Sequence, residues 1–279
     1  MNGDKFRIDT ASFSDTGQWK LVIFISKRRL RAALVSLVND QLPLLVLSDK
    51  EWEGQAEVLP NIEEAIYENP RILDDFATQI IIEAPETLWI PLEFTQDDEY
   101  DPSLYTAVYP SRQEDIFSIS DDNQLCLFTL IPGLKSFLNR TLPGCRINSS
   151  VNVFKQWFEK RERKEIAMSG ESAPRQTIGT VVYGDNAYIY AYRDGNFCGG
   201  ALHPWLSPAD IAYKAMLTLR ACGFDDKETS LYIMSQDDIY AEISGMLSEI
   251  TGEISHFTLP RLTLQENIEP AMALLLTNE

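Results

Sequence analysis

Three short apolar stretches divided by turn residues, written twice along the chain, limit the fold more than any other feature. The first copy opens with Leu21-Val22-Ile23-Phe24-Ile25, rich in the β-branched and aromatic side chains that suit a pleated surface. Lys27-Arg28 supply a turn, Leu30 to Leu37 a second run, Asn39-Asp40 a second turn and Pro43 to Leu47 a third run. Runs this short, bounded by turn residues, predict a three-stranded antiparallel meander. The second copy runs from Ile178 to Tyr183, turns at Gly184-Asp185-Asn186, returns over Ala187 to Tyr192, turns at Asp194-Gly195 and ends over Phe197 to Leu202. Asp-Gly is a strong hairpin signal, because the tight turn it makes needs positive φ at both central residues. Residues 1–17 lack apolar periodicity and read as a leader to the first meander.

Helix signals follow the second meander. Ser207-Pro208-Ala209-Asp210 offers a Ser for the N-cap, a Pro at the first helical position and an acid in the first turn. Ile211, Ala215, Leu219 and Cys222 then share one face until Gly223 stops the helix. Leu231 to Met234 is a strand, and Ser235 is expected to cap a second helix. Asp237 and Asp238 suit that helix's positive end, and Ile239, Ile243, Met246, Leu247 and Ile250 its apolar face. Ile254 to Leu259 is a last strand, so this half reads βββαβαβ.

The first half ends alike but is longer. A helix is expected over Asn61 to Tyr67, strands over Gln79 to Glu83 and Leu88 to Leu92, and a short helix from Asp101-Pro102. Ile116 to Ile119 and Gln124 to Leu130, around Asp121-Asp122-Asn123, read as an added hairpin. Leu134, Phe137 and Leu138 mark a helix, Arg146-Ile147-Asn148 a strand, and Val151, Phe154, Trp157 and Phe158 one face of the next helix. Between Lys160 and Arg175 charge, Gly, Ser and Pro replace apolar periodicity, with the basic residues suited to a solvated helix end. The division falls there: residues 1–165 as the first half with its added hairpin, residues 166–279 as the second.

A meander followed by αβαβ is the ribonuclease H-like half-fold, and two in tandem make the actin-like ATPase architecture, an α/β fold of duplicated halves. The repeat order, with Leu88-Trp89-Ile90-Pro91-Leu92 and Tyr188-Ile189-Tyr190-Ala191-Tyr192-Arg193-Asp194-Gly195, resembles an uncharacterised Bacteroidetes family with a degenerate form of this fold. That family is distantly similar to pilus-assembly and cell-division members of the actin superfamily. The resemblance spans Trp19 to Leu276.

What the resemblance implies is nucleotide gripped between the halves. The first turn of each meander would cradle phosphate through backbone N–H groups, with Gly permitting close approach. A carboxylate ending the first strand would hold Mg²⁺ through water, and a Gly-rich segment before a late helix would sit beside adenosine. The residues speak against hydrolysis. Ser26-Lys27-Arg28-Arg29 stands where a carboxylate and Gly are needed, and no acid lies between Lys20 and Asn39. Lys27 and Arg28 remain as charges able to meet phosphate, or simply as a tip facing solvent. Gly184 and Asp185 occupy the matching turn, but any hairpin turn uses such residues. The adenosine segment falls at Ser235-Gln236-Asp237-Asp238, which has no Gly. The cofactor-binding candidates are thus Lys27, Arg28, Gly184, Asp185 and Ser235, with no catalytic residue, no metal ligand and no cofactor expected.

Charge and composition remove other classes. The net charge is −18, which opposes nucleic acid, whose phosphates need clustered Lys and Arg. No apolar run reaches the length of a membrane-spanning helix, and the opening residues lack a secretory pattern, so a cytoplasmic protein without membrane insertion is expected. The four cysteines form no CxxC pair and read as free thiols, and two histidines, His203 and His256, do not make a His-rich metal site. Asp97-Asp98-Glu99-Tyr100-Asp101 opens like a calcium loop but lacks its later Gly and Glu. Gly199-Gly200 reads as a bend in an edge strand, and His203 beside Trp205 as a packed loop histidine. The leading expectation is a non-catalytic pseudo-ATPase that binds a protein or peptide partner. The alternatives are a weak nucleotide binder or slow phosphotransferase, with an acid such as Glu83 or Glu93 replacing the missing ligand, and a small-molecule sensor.

Overall fold

Both meanders form. In the computed structural model, which describes residues 15–38, 44–53, 58–95, 102–110, 115–121, 124–169 and 175–277, β1 (Trp19–Ile25), β2 (Arg29–Ser36) and β3 (Leu45–Glu51) pair antiparallel. β4 (Ala77–Ile82) pairs in parallel with the other edge of β1, and β1 is buried along nearly its whole length, with side chains of both its faces out of water. A strand covered on both sides reads as a continuous apolar run, which is how Leu21 to Ile25 is written. With β8 (Arg146–Ser149) this sheet has the order β3-β2-β1-β4-β8. The helices α1 (Val58–Tyr67) and α3 (Leu134–Thr141) meet through Tyr67 and Phe137, whose rings pack edge to face at 5.9 Å.

The second meander comprises β9 (Gln176–Tyr183), β10 (Asn186–Arg193) and β11 (Asn196–Pro204). β12 (Thr229–Ser235) and β13 (Ile254–Thr258) extend it in parallel with β9, giving β11-β10-β9-β12-β13. Leaving out an insertion in the first half, the two sheets have the same order: third, second and first strand of the meander, then two more. The duplication read from the sequence is therefore present in the strand topology.

Packing groups the chain into two units, one from the residues up to 83 with 130–148, the other from 84–129 with 149 onward. The inserted segment holds β5 (Thr87–Pro91), α2 (Pro102–Val108), β6 (Ile116–Asp121) and β7 (Gln124–Thr129). The added hairpin is there, and β5 joins it in an antiparallel sheet of order β5-β7-β6. Ile90, Tyr105, Ile116, Leu125 and Leu127 are its core. Tyr105 donates its hydroxyl to the Glu86 carbonyl at 2.6 Å, and burial pushes its pKa up to about 12.

Period-two alternation on β10 decides the layers of the second unit. Ala187, Ile189 and Ala191 face α5 (Pro208–Ala221) and α6 (Asp237–Leu247), in one cluster with Ile211, Ala215, Leu219, Ile243 and Leu247. Tyr188, Tyr190 and Tyr192 face α4 (Ser150–Ser169), packing on Phe154 and Phe158. Their buried hydroxyls need acceptors: Tyr190 donates to the Val151 carbonyl at 2.8 Å and Tyr192 to that of Lys155 at 3.0 Å. α4 lies so close to β9 that a Cβ on Gly179 would sit 2.9 Å from the Phe158 ring.

Some expectations are revised. The charged run after Lys160 stays helical to Ser169, because its buried side supplies packing that composition hides. After β13 come α7 (Arg261–Glu266) and α8 (Pro270–Thr277), which the sequence reading ended without. Pro270 to Leu274 are all buried, so α8 has no polar face to reveal a helical period. The edge bend expected at Gly199-Gly200 is a bulge one residue earlier, with register slipping between Ala191 and Tyr192. The Asn39-Asp40 turn, the Asp97–Asp101 run, Asp122-Asn123 and residues 170–174 lie outside the described residues. Among the described residues no helix is long and apolar enough to cross a membrane.

Candidate functional site

The turn between β1 and β2 carries Lys27 and Arg28, both exposed. The Ser26 amide donates to the Arg29 carbonyl at 2.8 Å, and the Arg28 amide to Ser26 Oγ at 3.1 Å. Both tip carbonyls are taken by one residue. Trp52, just past β3, donates its indole N–H to the Lys27 carbonyl at 2.8 Å and its amide N–H to that of Arg28 at 3.0 Å. The neighbouring arginines turn to β3: Arg29 makes a two-pronged contact with Asp49 at 2.9 and 3.0 Å, and Arg31 reaches Asp49 at 2.7 Å. No acid lies on this tip.

The same arrangement stands in the second meander. Gly184 and Asp185 form a two-residue turn in which Gly184 has φ +56° and open space where a side chain would go. Trp205, just past β11, donates its indole N–H to the Gly184 carbonyl at 3.1 Å and its amide to that of Asp185 at 3.2 Å. These two tryptophans were not read as a pair. The signal was available: each is the first aromatic residue after the third strand of its meander, 25 residues after the tip in one case and 21 in the other.

Ser235 ends β12, is 1% exposed, and donates Oγ to the Gln236 carbonyl at 3.0 Å. It does not cap α6. The N-cap is Gln236, with no side-chain hydrogen bond, because Ser235 still belongs to the strand and its hydroxyl donates to the Gln236 carbonyl instead of accepting from an amide of the first turn. Asp237 and Asp238 do occupy the first turn and are exposed, so carboxylates already meet the positive end of that helix. His256 stacks flat on Tyr240 at 4.2 Å, with Nδ1 3.8 Å from Asp237.

β9, β11, β12 and β13 run in one direction, so their C-terminal ends share an edge of the sheet. In open α/β sheets that edge is where ligands bind. It gathers Gly184, Asp185 and Ser235 of the candidates, and adds Leu206, the Asp237-Asp238 turn and the Thr258–Arg261 turn. Lys27 and Arg28 stand at the corresponding end of β1 in the other unit. Leu206 is 98% exposed yet fixed: its amide donates to Asp210 Oδ2 at 3.1 Å, and that carboxylate also accepts from the Ser207 amide and hydroxyl. These bonds hold the Asp210 carboxyl below the usual carboxylate range and complete the cap expected at α5. A hollow of about 250 Å³, lined by Thr258, Leu259, Pro260, Arg261, Leu264 and Gln265, opens beyond β13. That is smaller than the roughly 300–1,000 Å³ of small-molecule sites. Among the described residues no three His, Cys, Asp or Glu side chains stand close enough to hold a metal ion.

The sequence also hid a polar stripe on the buried side of α4. Asn152, Lys155, Glu159 and Glu162 are all under 9% exposed. Asn152 accepts from the Trp89 indole at 3.0 Å, Lys155 pairs with Glu159 at 2.8 Å, and Glu162 accepts from Thr177 Oγ1 at 3.0 Å. Burial pushes the Glu162 carboxyl up, against the pull of Arg175.

No family model matches the chain, and no curated protein does. Among solved structures, a Bacteroides thetaiotaomicron protein with an actin-like ATPase fold and unknown function is similar over 98% of this chain and 99% of its own, at 17% identity and a TM-score of 0.71. More distant likenesses are to the PilM-PilN type IV pilus biogenesis complex (11% identity, 95% and 98% covered, TM-score 0.46) and the cytoplasmic domain of EpsL from Vibrio cholerae (10% identity, 77% and 80% covered, TM-score 0.39). Strand order in both sheets and the first of these likenesses agree: the chain has the actin-like ATPase fold.

Proposed function

We propose that this chain is a non-hydrolysing actin-like protein that binds a protein or peptide partner through the C-terminal edge of its second sheet. The observation that carries the reading is the charge of that edge. Asp185, Asp237 and Asp238 are exposed there, and the helix end that would attract phosphate is faced by its own acids. A nucleoside triphosphate brings several negative charges towards these carboxylates. Leu206 suits a partner instead: it is an apolar side chain, 98% exposed on a backbone whose amide is held by Asp210, and an apolar partner surface would take it out of water. The net charge of −18 makes nucleic acid an unsuitable partner. None of the four cysteines is in a disulfide, which suits a reducing compartment such as the cytoplasm.

Affinity capture at native abundance tests this, comparing the parent chain with Leu206→Glu. The expected result is a specific partner retained by the parent and lost by the variant, with an unchanged melting temperature. Equal capture by both, or no specific partner, would count against the reading.

A second reading, weak nucleotide binding, rests on Gly184, whose open surroundings leave room for a phosphate at the turn. A melting-temperature shift in magnesium nucleotide is its requirement.

A further inference from the structure

The bulge in β11 aims a cysteine at the end of a helix. Tyr192 pairs with Phe197 and Ala191 with Gly199, so Cys198 is an extra residue on β11. Phe197 packs at a tilt on Tyr192 on the α4 side, and the bulge sets Cys198 next to Gly199, the partner of Ala191, which faces α5. A bulge is a common means of re-aiming a side chain in this way. On that side, at the C-terminal end of α5, sits Cys222, half-buried against the core cluster.

Arg193 links the two. It lies two residues beyond Ala191 on the same face of β10, and its guanidinium donates to the Cys222 carbonyl at 3.0 Å while stacking over Phe224 at 5.0 Å. Its backbone also makes a hydrogen bond with the Cys198 sulfur, and each sulfur feels the charge of Arg193. Cys198, the more exposed, donates to the Asn196 carbonyl at 3.6 Å.

We infer that Cys198 and Cys222 are an oxidisable pair that closes to a disulfide when a peroxide is the oxidant, tying edge strand β11 to the end of α5. The Cys198 sulfur attacks the peroxide: the O–O bond breaks, an S–O bond forms, and the thiol proton leaves with the departing oxygen as water. The Cys222 sulfur then attacks that sulfenic sulfur: an S–S bond forms, the S–O bond breaks, and the second thiol proton leaves with that oxygen as water. The two thiols give up two electrons and two protons, and the peroxide takes them. Burial pushes both thiols up, against a weaker pull from Arg193, which slows the first attack on the peroxide. The segment closed by the bridge contains Trp205 and Leu206, so oxidation would stiffen the edge proposed for the partner. The inference itself does not depend on that proposal.

The test treats the purified full chain with hydrogen peroxide and follows intact mass and peptide maps. The expected result is a loss of about 2 Da, a peptide joining Cys198 to Cys222, reversal by dithiothreitol, and absence of the link in Cys198→Ser and Cys222→Ser but not in Cys145→Ser. Oxygen addition at Cys198 without the link, or a link to Cys145 or to a second molecule, would overturn it. A measurement on the unaltered chain guards against variants that fail to fold. Phenylarsine oxide, which bridges neighbouring thiols, is expected to protect both Cys198 and Cys222 from iodoacetamide, and protection of neither would also overturn the inference.

Discussion

Trp52 and Trp205 do the same work at two places in the chain, each holding both carbonyls of a hairpin tip. Replacing either by Phe leaves a smaller aromatic ring and removes the indole donor, which is expected to cost about 0.5–1.5 kcal/mol in chemical denaturation. Glu162 makes the opposite kind of contribution. Burial raises its folded-state pKa above the unfolded value, so the folded chain holds that proton to higher pH. Stability from this group is greatest below the ordinary carboxyl range and falls as pH rises through the raised value. Glu162→Gln is expected to flatten that fall, and a denaturation series across pH that shows the same slope in parent and variant would contradict it. The tryptophan pair is written at matching places after each meander, whereas the α4 stripe leaves no such signal in the sequence. Lys155 and Glu159 sit between the apolar residues of α4 and Glu162 in the charged run that follows; Lys155 is covered by the Phe197 ring and Glu162 meets Thr177 of β9.

At the scale of elements, local chemistry was most readable where one residue decides one bond. The cap of α5 is such a place: Ser207 and Asp210 are spaced so that the carboxylate meets the first free amides. Those bonds hold the Asp210 pKa down, so its contribution is present at neutral pH and disappears as pH falls through the depressed value. Asp210→Asn is therefore expected to lower stability at neutral pH and match the parent in acid, as read by melting temperature against pH. A constant difference at every pH would mean the charge is irrelevant. The alternation Tyr188-Ile189-Tyr190-Ala191-Tyr192 was equally legible, and the structure uses both faces of it. What could not be read was pairing across long separations. Leu88 to Leu92 looked like a lone strand because its partner, β7, is written more than thirty residues later. Ser235 looked like a cap because the sequence does not say where β12 stops.

At the scale of the whole molecule, repetition carried the fold. Two meanders with the same signals led to two sheets with the same strand order, although the insertion interrupts the first. The site was less legible because function in this fold depends on few residues, and here the informative ones are departures: Lys27-Arg28 without an acid, and Asp185, Asp237 and Asp238 where phosphate would be received. The central claim is that this edge does not bind nucleotide. The most direct test is the melting temperature with and without millimolar Mg-ATP, Mg-ADP and Mg-GTP. A ligand at about 100 times its Kd stabilises the native state by about 2.7 kcal/mol, enough to raise the melting temperature by several degrees. The account predicts no shift with any of the three. A shift of that size, abolished in Asp185→Ala, would contradict it and make the Gly184-Asp185 turn a phosphate site.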